Sequence, residues 1–330
     1  MKRLLFVLLA ITAITPFAAA APPTVEEMLH WVPAGAQAVI AVDSAALRTH
    51  PKVQEWLLRH HAWTGADQDL RQFLSDAGLD PVRDVDAMVV AVLRDSGETG
   101  AVALFSGRYD ASSLAAAIVK RGARPFTMGT RQAYRLPSSG HHGDDTAVLV
   151  QPSPDLVIVG EEAAVQAAIA PPHAVIPLVE GEIAADHIDP RAPFWVVAVV
   201  PAEARQKAGE VSEKVHGEGS DTVRSVVFAS GAVQRVAGQA FLDDSLRFSG
   251  VAVADTSENA ELLRDAVKGA IAAARLHAQG HAPELVSVLR DIVVRVSGTD
   301  VSVSGAVPLT LLEKLAAEHQ PCRSATKPQL

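Results

Sequence analysis

Apolar positions along this chain of 330 residues fall into short runs separated by polar and turn-forming residues. Ala38-Val39-Ile40-Ala41-Val42 is apolar throughout, is bounded by Gly35 and Asp43, and reads as a buried central strand. Met88 to Leu93 and Ala101 to Phe105 are two more apolar strands, joined by the polar hairpin turn Arg94-Asp95-Ser96-Gly97-Glu98. Phe126 to Leu136, Ala147 to Val150 and Leu156 to Val159 read as further strands. Between them the period lengthens to that of a helix. Val25, Met28, Leu29 and Val32 mark the buried side of a short helix, which Thr24 and Glu27 open as a capping box. Asp43 or Ser44 caps a helix to about His61 with a break at Pro51. A second, about Asp67 to Ala77, carries Leu70, Phe73 and Leu74. A third, from Asp110 or Ser112, carries Leu114, Ile118 and Val119, and Glu161 to Ala170 forms a fourth.

Residues 171–192 hold Pro171, Pro172, Pro177 and Pro190 with several acids and read as a linker. The same grammar then restarts. Phe194 to Val200 is an apolar strand, and Pro201 sits at a helix N1 position ahead of Ala204, Ala208, Val211 and Val215. Val223 to Ala229, Val233 to Leu242 and Leu246 to Ala254 form a meander. Ser257 caps a long helix, Glu258 to about Ala278, with Leu263, Val267, Ala270 and Ala274 on one face. A short helix from Pro283 to Leu289 precedes strands Ile292 to Val296 and Val301 to Ala306, and Pro308 opens a last helix with Leu311, Leu312 and Leu315. The shared order of elements predicts an α+β fold: two related units of mainly antiparallel sheet with helices packed on one face. The units are 21–170 and 193–318, with 319–330 a flexible tail. Whether their sheets join is left open.

The first twenty residues stand apart. Lys2 and Arg3 precede the apolar run Leu4 to Ile14, Pro16 breaks it, and Ala18-Ala19-Ala20 supplies small residues for cleavage. This is the layout of a secretory signal peptide, and a run of about eleven residues falls short of the roughly 20 that span a bilayer. The expected compartment is the periplasm or the extracellular space, with no integral membrane segment after cleavage. The net charge of −9 becomes two units more negative once Lys2 and Arg3 leave, which excludes nucleic acid and anionic membrane surfaces as partners. Aromatic residues are only 5%, too few for stacking platforms. The single cysteine, Cys322, excludes an internal disulfide and leaves a disulfide-linked dimer as one option for it.

Two stretches carry a resemblance. Pro33-Ala34-Gly35-Ala36-Gln37-Ala38-Val39-Ile40-Ala41-Val42-Asp43 and, before the last helix, Val294-Arg295-Val296-Ser297-Gly298-Thr299-Asp300-Val301-Ser302-Val303-Ser304-Gly305 resemble a group of uncharacterised exported bacterial proteins with a duplicated α+β unit. The resemblance implies an architecture and brings no catalytic residues with it.

The chain lacks a Gly-x-Ser-x-Gly elbow, a His-Glu-x-x-His helix, a Walker loop and a Gly-x-Gly-x-x-Gly turn. The metal candidate is His277-x-x-x-His281-x-x-Glu284: on a continuous helix the imidazoles stand one turn apart, although Gly280 and Pro283 predict a helix end that splays them. His141-His142-Gly143-Asp144-Asp145 reads as a solvated hairpin, and His60-His61 as a polar helix end. Asp84 and Asp86, two apart ahead of a strand, would share one face and could divide acid and base roles. Glu180, Glu182, Asp186 and Asp189 solvate the linker. No cofactor is expected. These observations point to a non-catalytic envelope protein whose helix-backed sheet binds another envelope protein or a small ligand. The alternatives are a metal-dependent or carboxylate hydrolase, and a carrier of an apolar ligand between sheet and helices.

Overall fold

The computed structural model describes residues 21–60, 68–95, 98–137, 147–171, 176–184, 187–207 and 229–318. Twelve strands among these form one sheet in the order β11-β12-β10-β9-β8-β1-β2-β3-β7-β6-β5-β4, every neighbouring pair antiparallel. In chain order they are β1 Ala36–Asp43, β2 Val85–Asp95, β3 Glu98–Gly107, β4 Arg124–Met128, β5 Arg131–Arg135, β6 Ala147–Ser153, β7 Leu156–Glu161, β8 Phe194–Val199, β9 Val233–Leu242, β10 Ser245–Ala254, β11 Val293–Ser297 and β12 Asp300–Pro308. The fold is α+β. The question of sheet continuity is answered at the centre, where β1 pairs with β8 from Ala38↔Ala198 to Val42↔Phe194. In the first half β3, helix Ala111–Lys120 and the β4–β5 hairpin lead to β6 and β7, and β7 returns beside β3. In the second half β10 and the long helix Ser257–His281 lead to β11 and β12, and β12 returns beside β10.

Local sequence signals set the helix starts. Thr24 Oγ1 accepts from the Glu27 backbone N–H at 3.3 Å while the Thr24 N–H donates to Glu27 Oε2 at 2.8 Å, the capping box expected from the sequence. Asp43 Oδ1 caps helix Ser44–Thr49 through Ala46 N–H at 2.7 Å, and Asp110 Oδ1 caps helix Ala111–Lys120 through Ser113 N–H at 2.6 Å. The latter bond holds the Asp110 carboxyl below its ordinary range. Thr256, not Ser257, caps the long helix, which runs past Gly280 to His281. The single strand expected over Phe126 to Leu136 is two strands, β4 and β5, because Gly129 takes a φ of 61° and turns the chain. The segment 171–192 carries helix Pro177–Ala184 and buries Ile176, Val179, Ile188 and Ala192. The expected strand Val223 to Ala229 and helix residues Ala208, Val211 and Val215 lie almost wholly outside the described residues, as does the tail 319–330.

Helices lie on both faces of the sheet. One face is sealed: Val39 and Ala41 of β1, Ala87, Val89 and Ala91 of β2, Val102 and Leu104 of β3, Ile158 of β7, and Trp195 and Val197 of β8 are all buried. Helices Val25–Leu29, Glu162–Ile169 and Pro177–Ala184 close over them with Met28, Leu29, Val165, Ala168 and Val179. On the opposite face two separate clusters form. Helices Gln68–Asp76 and Ala111–Lys120 cover Leu149 and Val157 in the first half, and helix Ser257–His281 covers Val301, Val236 and Ala252 in the second.

Trp195 is the largest fully buried side chain. Its replacement, Trp195→Ala, is expected to cost about 3–5 kcal/mol, whereas Val196→Ala on the opposite face of the same strand, which is only partly buried, is expected to cost roughly 1 kcal/mol. Urea unfolding of the two variants checks the difference.

Candidate functional site

The central strands are apolar at nearly every position, so both of their faces favour burial. Only one face receives it. Along β1, β2 and β8 burial alternates strictly: Ile40 and Val42, Met88, Val90 and Val92, and Val196 and Ala198 are all partly exposed, while each intervening residue is sealed. The cross-strand register puts these residues side by side, Met88↔Val42↔Phe194 in one row and Val90↔Ile40↔Val196 in the next. Phe194 is 39% exposed. The result is an apolar trough down the middle of the sheet, between the two helix-covered flanks.

A cavity of about 340 Å³ lies on the same face of the sheet. Helix Ser44–Thr49 and the helix that follows it contribute Leu47, Lys52 and Val53, β9 contributes Leu242, and helix Leu309–Glu318 contributes Leu309, Leu312 and Glu313. Leu242 lies on the same face of β9 as Ala240, which pairs with Phe194, so the cavity is on the trough's side of the sheet. Five apolar walls with one ammonium and one carboxylate match the composition of small-molecule sites, which are mostly apolar with a few orienting polar groups. None of the lining residues was singled out for function by sequence reasoning. They come from three separate segments, and each leucine reads as ordinary core.

The charged residues gather elsewhere, where the chain just after Ala20 crosses the ends of β2 and β3. Asp86 sits in an irregularity of β2, where Val85 pairs with Gly107 and Ala87 with Ser106. Arg48 forms an ion pair with Asp86 and donates to the carbonyls of Val82, at 2.9 Å, and Val85. Arg108 Nη2 lies 3.7 Å from the same carboxylate. Asp84 closes the helical turn Pro81–Asp84 and accepts from the Asp80 N–H at 2.7 Å. The strand spacing expected for Asp84 and Asp86 is therefore corrected: Asp84 ends a helical turn and Asp86 is the extra residue in the irregularity of β2, so the two-residue alternation does not apply, and each carboxylate has its own donors. Gly107 is required here, since a Cβ would come within 2.0 Å of the Asp84 carbonyl. The buried Tyr109 hydroxyl has no hydrogen-bond partner among the described residues. Its pKa is raised above the ordinary 10.0, first by burial and then by the charges of Asp86, Asp84 and Asp155.

The metal candidates are placed as follows. Helix Ser257–His281 is continuous, so His277 and His281 stand one turn apart on it. His277 is exposed, and the His281 side chain is outside the described residues. Glu284 lies in the turn beyond and is ion-paired to Lys314 of the last helix, whose hydrogen bond holds the Glu284 carboxyl below its ordinary range. Among the described residues no group of three or more His, Cys, Asp or Glu is placed to hold a metal. The pair His60-His61, the loop His141 to Asp145 and Cys322 fall outside what can be described of side chains, and one cysteine leaves a disulfide-linked dimer unsupported. Among the described residues no helix is long and apolar enough to cross a membrane.

What this fold and site define is an α+β protein built on one antiparallel sheet, with an apolar trough and cavity and with Asp86 and Glu284 ion-paired within the fold. No family model and no curated protein matches the chain. Solved structures similar to it include two crystal forms of TP0453. Crystal form I of TP0453 gives a TM-score of 0.43 at 10% identity over 91% of this chain and 98% of that one, and crystal form IV gives 0.42 at 9% over 88% and 96%.

Two outcomes follow for the charged cluster. Arg48→Met, which leaves Asp86 and two carbonyls without their donor, is expected to cost about 2 kcal/mol by urea unfolding. Because the folded pKa of Tyr109 is raised, its contribution to stability is complete below pH 10.0 and is lost as pH rises further. Tyr109→Phe is expected to flatten that alkaline loss, as measured by unfolding at a series of pH values above neutrality.

Proposed function

We propose that this protein is an exported, non-catalytic binding module of the bacterial cell envelope, and that it holds a small apolar or amphipathic ligand in the trough of its central sheet. The observation that carries the reading is the alternation on β1, β2 and β8: a row of apolar side chains stays partly exposed on one face of these central strands, while their other face is closed. Contiguous exposed apolar surface is costly in water, and on a soluble protein it marks a binding site. Lys52 and Glu313 at the cavity give a polar head group something to meet, while Leu242, Leu309 and Leu312 take its chain.

Export rests on the leader, with Lys2, Arg3 and the run Leu4 to Ile14 ahead of Ala18-Ala19-Ala20. The two halves are, in this reading, related units: each contains three adjacent strands, a helix, and a hairpin whose second strand returns beside the third, with the β4–β5 hairpin added in the first. The hydrolase reading has less support, because Glu284, Asp84 and Asp86 are each engaged by donors of the fold.

Titration with a fluorescent polyene fatty acid tests the proposal. Saturable binding at one site per chain is expected, weakened at least tenfold in Leu312→Asp. No saturable binding, or equal binding by the variant, would contradict it. Mass spectrometry of solvent extracts of the purified protein is expected to show a co-purifying apolar compound.

A further inference from the structure

Helix Ser257–His281 packs one side against β10, β11 and β12 through Ala260, Leu263, Ala266 and Val267. Its outward side carries the two most exposed large apolar side chains among the described residues, Leu276 at 70% and Leu262 at 51%. They are fourteen positions apart, which at about 100° per residue brings them within roughly 40° of each other on the helix. Gly269 lies midway, seven positions from each, exposed and with open space above it. Acid is confined to one side of the same midpoint. Glu258, Glu261 and Asp265 fall in the first half beside Arg264 and Lys268, with Arg264 paired to two of them, while the second half holds Arg275 and His277 and no acid.

We infer that this face docks against the same face of a second copy of the chain, with the two helices antiparallel and the twofold axis at Gly269. In that register each residue meets its mirror position about 269. Leu262 of one copy then covers Leu276 of the other, twice, and Glu261 faces His277. Asn259 faces Gln279, so amide meets amide. Parallel pairing would set acid against acid. The helix is about 37 Å long at ~1.5 Å per residue. A strip ~10 Å wide therefore buries on the order of 400 Å² per copy, about half of the ~800 Å² of a standard stable interface. The dimer is accordingly a weak, reversible one, formed at high local concentration. It uses a surface separate from the ligand trough and does not depend on it.

Sedimentation equilibrium of the full chain from ~5 to ~500 µM tests this, with circular dichroism as the check on folding. A reversible monomer–dimer equilibrium is expected. Leu262→Asp and Leu276→Lys should each weaken it at least tenfold, and the double variant, which sets opposite charges against each other across the twofold, should return to within about threefold of the parent. A chain that stays monomeric throughout overturns the inference. So does a dimer insensitive to both substitutions, or a double variant that fails to recover. Phosphatidylcholine vesicles captured through Leu262 and Leu276 by a chain monomeric in solution would likewise overturn it, by assigning the face to a lipid surface.

Discussion

The antiparallel pairing of β1 with β8 is the contact on which the rest of the structure depends. Five consecutive residue pairs, Ala38↔Ala198 to Val42↔Phe194, join strands more than 150 positions apart and turn two sets of strands into one sheet. The side chains of this seam are small or branched on β1, and Trp195 fills the space opposite Ala41. Because a slip of one residue would send Trp195, Val39 and Val197 to the partly open face, burial of that one face pins the register. Helices Val25–Leu29 and Pro177–Ala184 close over the seam, which is why the expected linker 171–192 contributes core residues.

The functional reading follows from what this seam leaves open. Sealing one face of β1, β2 and β8 fixes the alternate residues on the other, and those are apolar too. A strand apolar on both sides is expected in a sheet covered on both sides. Here the covering helices stand at the flanks of the second face, over β6 and β7 and over β9 to β12. Several charged pairs among the described residues, meanwhile, serve the architecture. Arg48 ties down the bulge at Asp86, Lys314 holds Glu284, and Arg264 bridges Glu261 and Asp265 along a helix.

Much of the local structure was legible in the sequence, because its causes are local. Thr24 with Glu27, Asp43 and Asp110 mark helix starts through bonds spanning three residues, and all form as read. The hairpin of β2 and β3 follows from a polar turn between apolar runs. What failed depended on a single backbone angle or on distant partners. Gly129 divides a presumed strand through a positive φ that apolar patterning does not register. Asp84 belongs to a helical turn and Asp86 to the irregularity set by the pairing of Val85 with Gly107, and no period-two reading of β2 alone reveals either. Gly280 did not end the long helix, whose last turn is followed by an Ala282 N–H donating to the Ala278 carbonyl. The cavity was illegible for the same reason as the seam: Leu47, Leu242 and Leu309 meet only in the folded chain.

Hydrogen exchange of the backbone amides tests the central claim most directly. If the seam makes one cooperative body of the two halves, the amides of residues 38–42 and 194–198 will share one exchange free energy, equal to that of global unfolding. Exchange of β8 to β12 at a lower free energy, with β1 to β3 still protected, would mean that the halves open independently and that the sheet is not held by its centre.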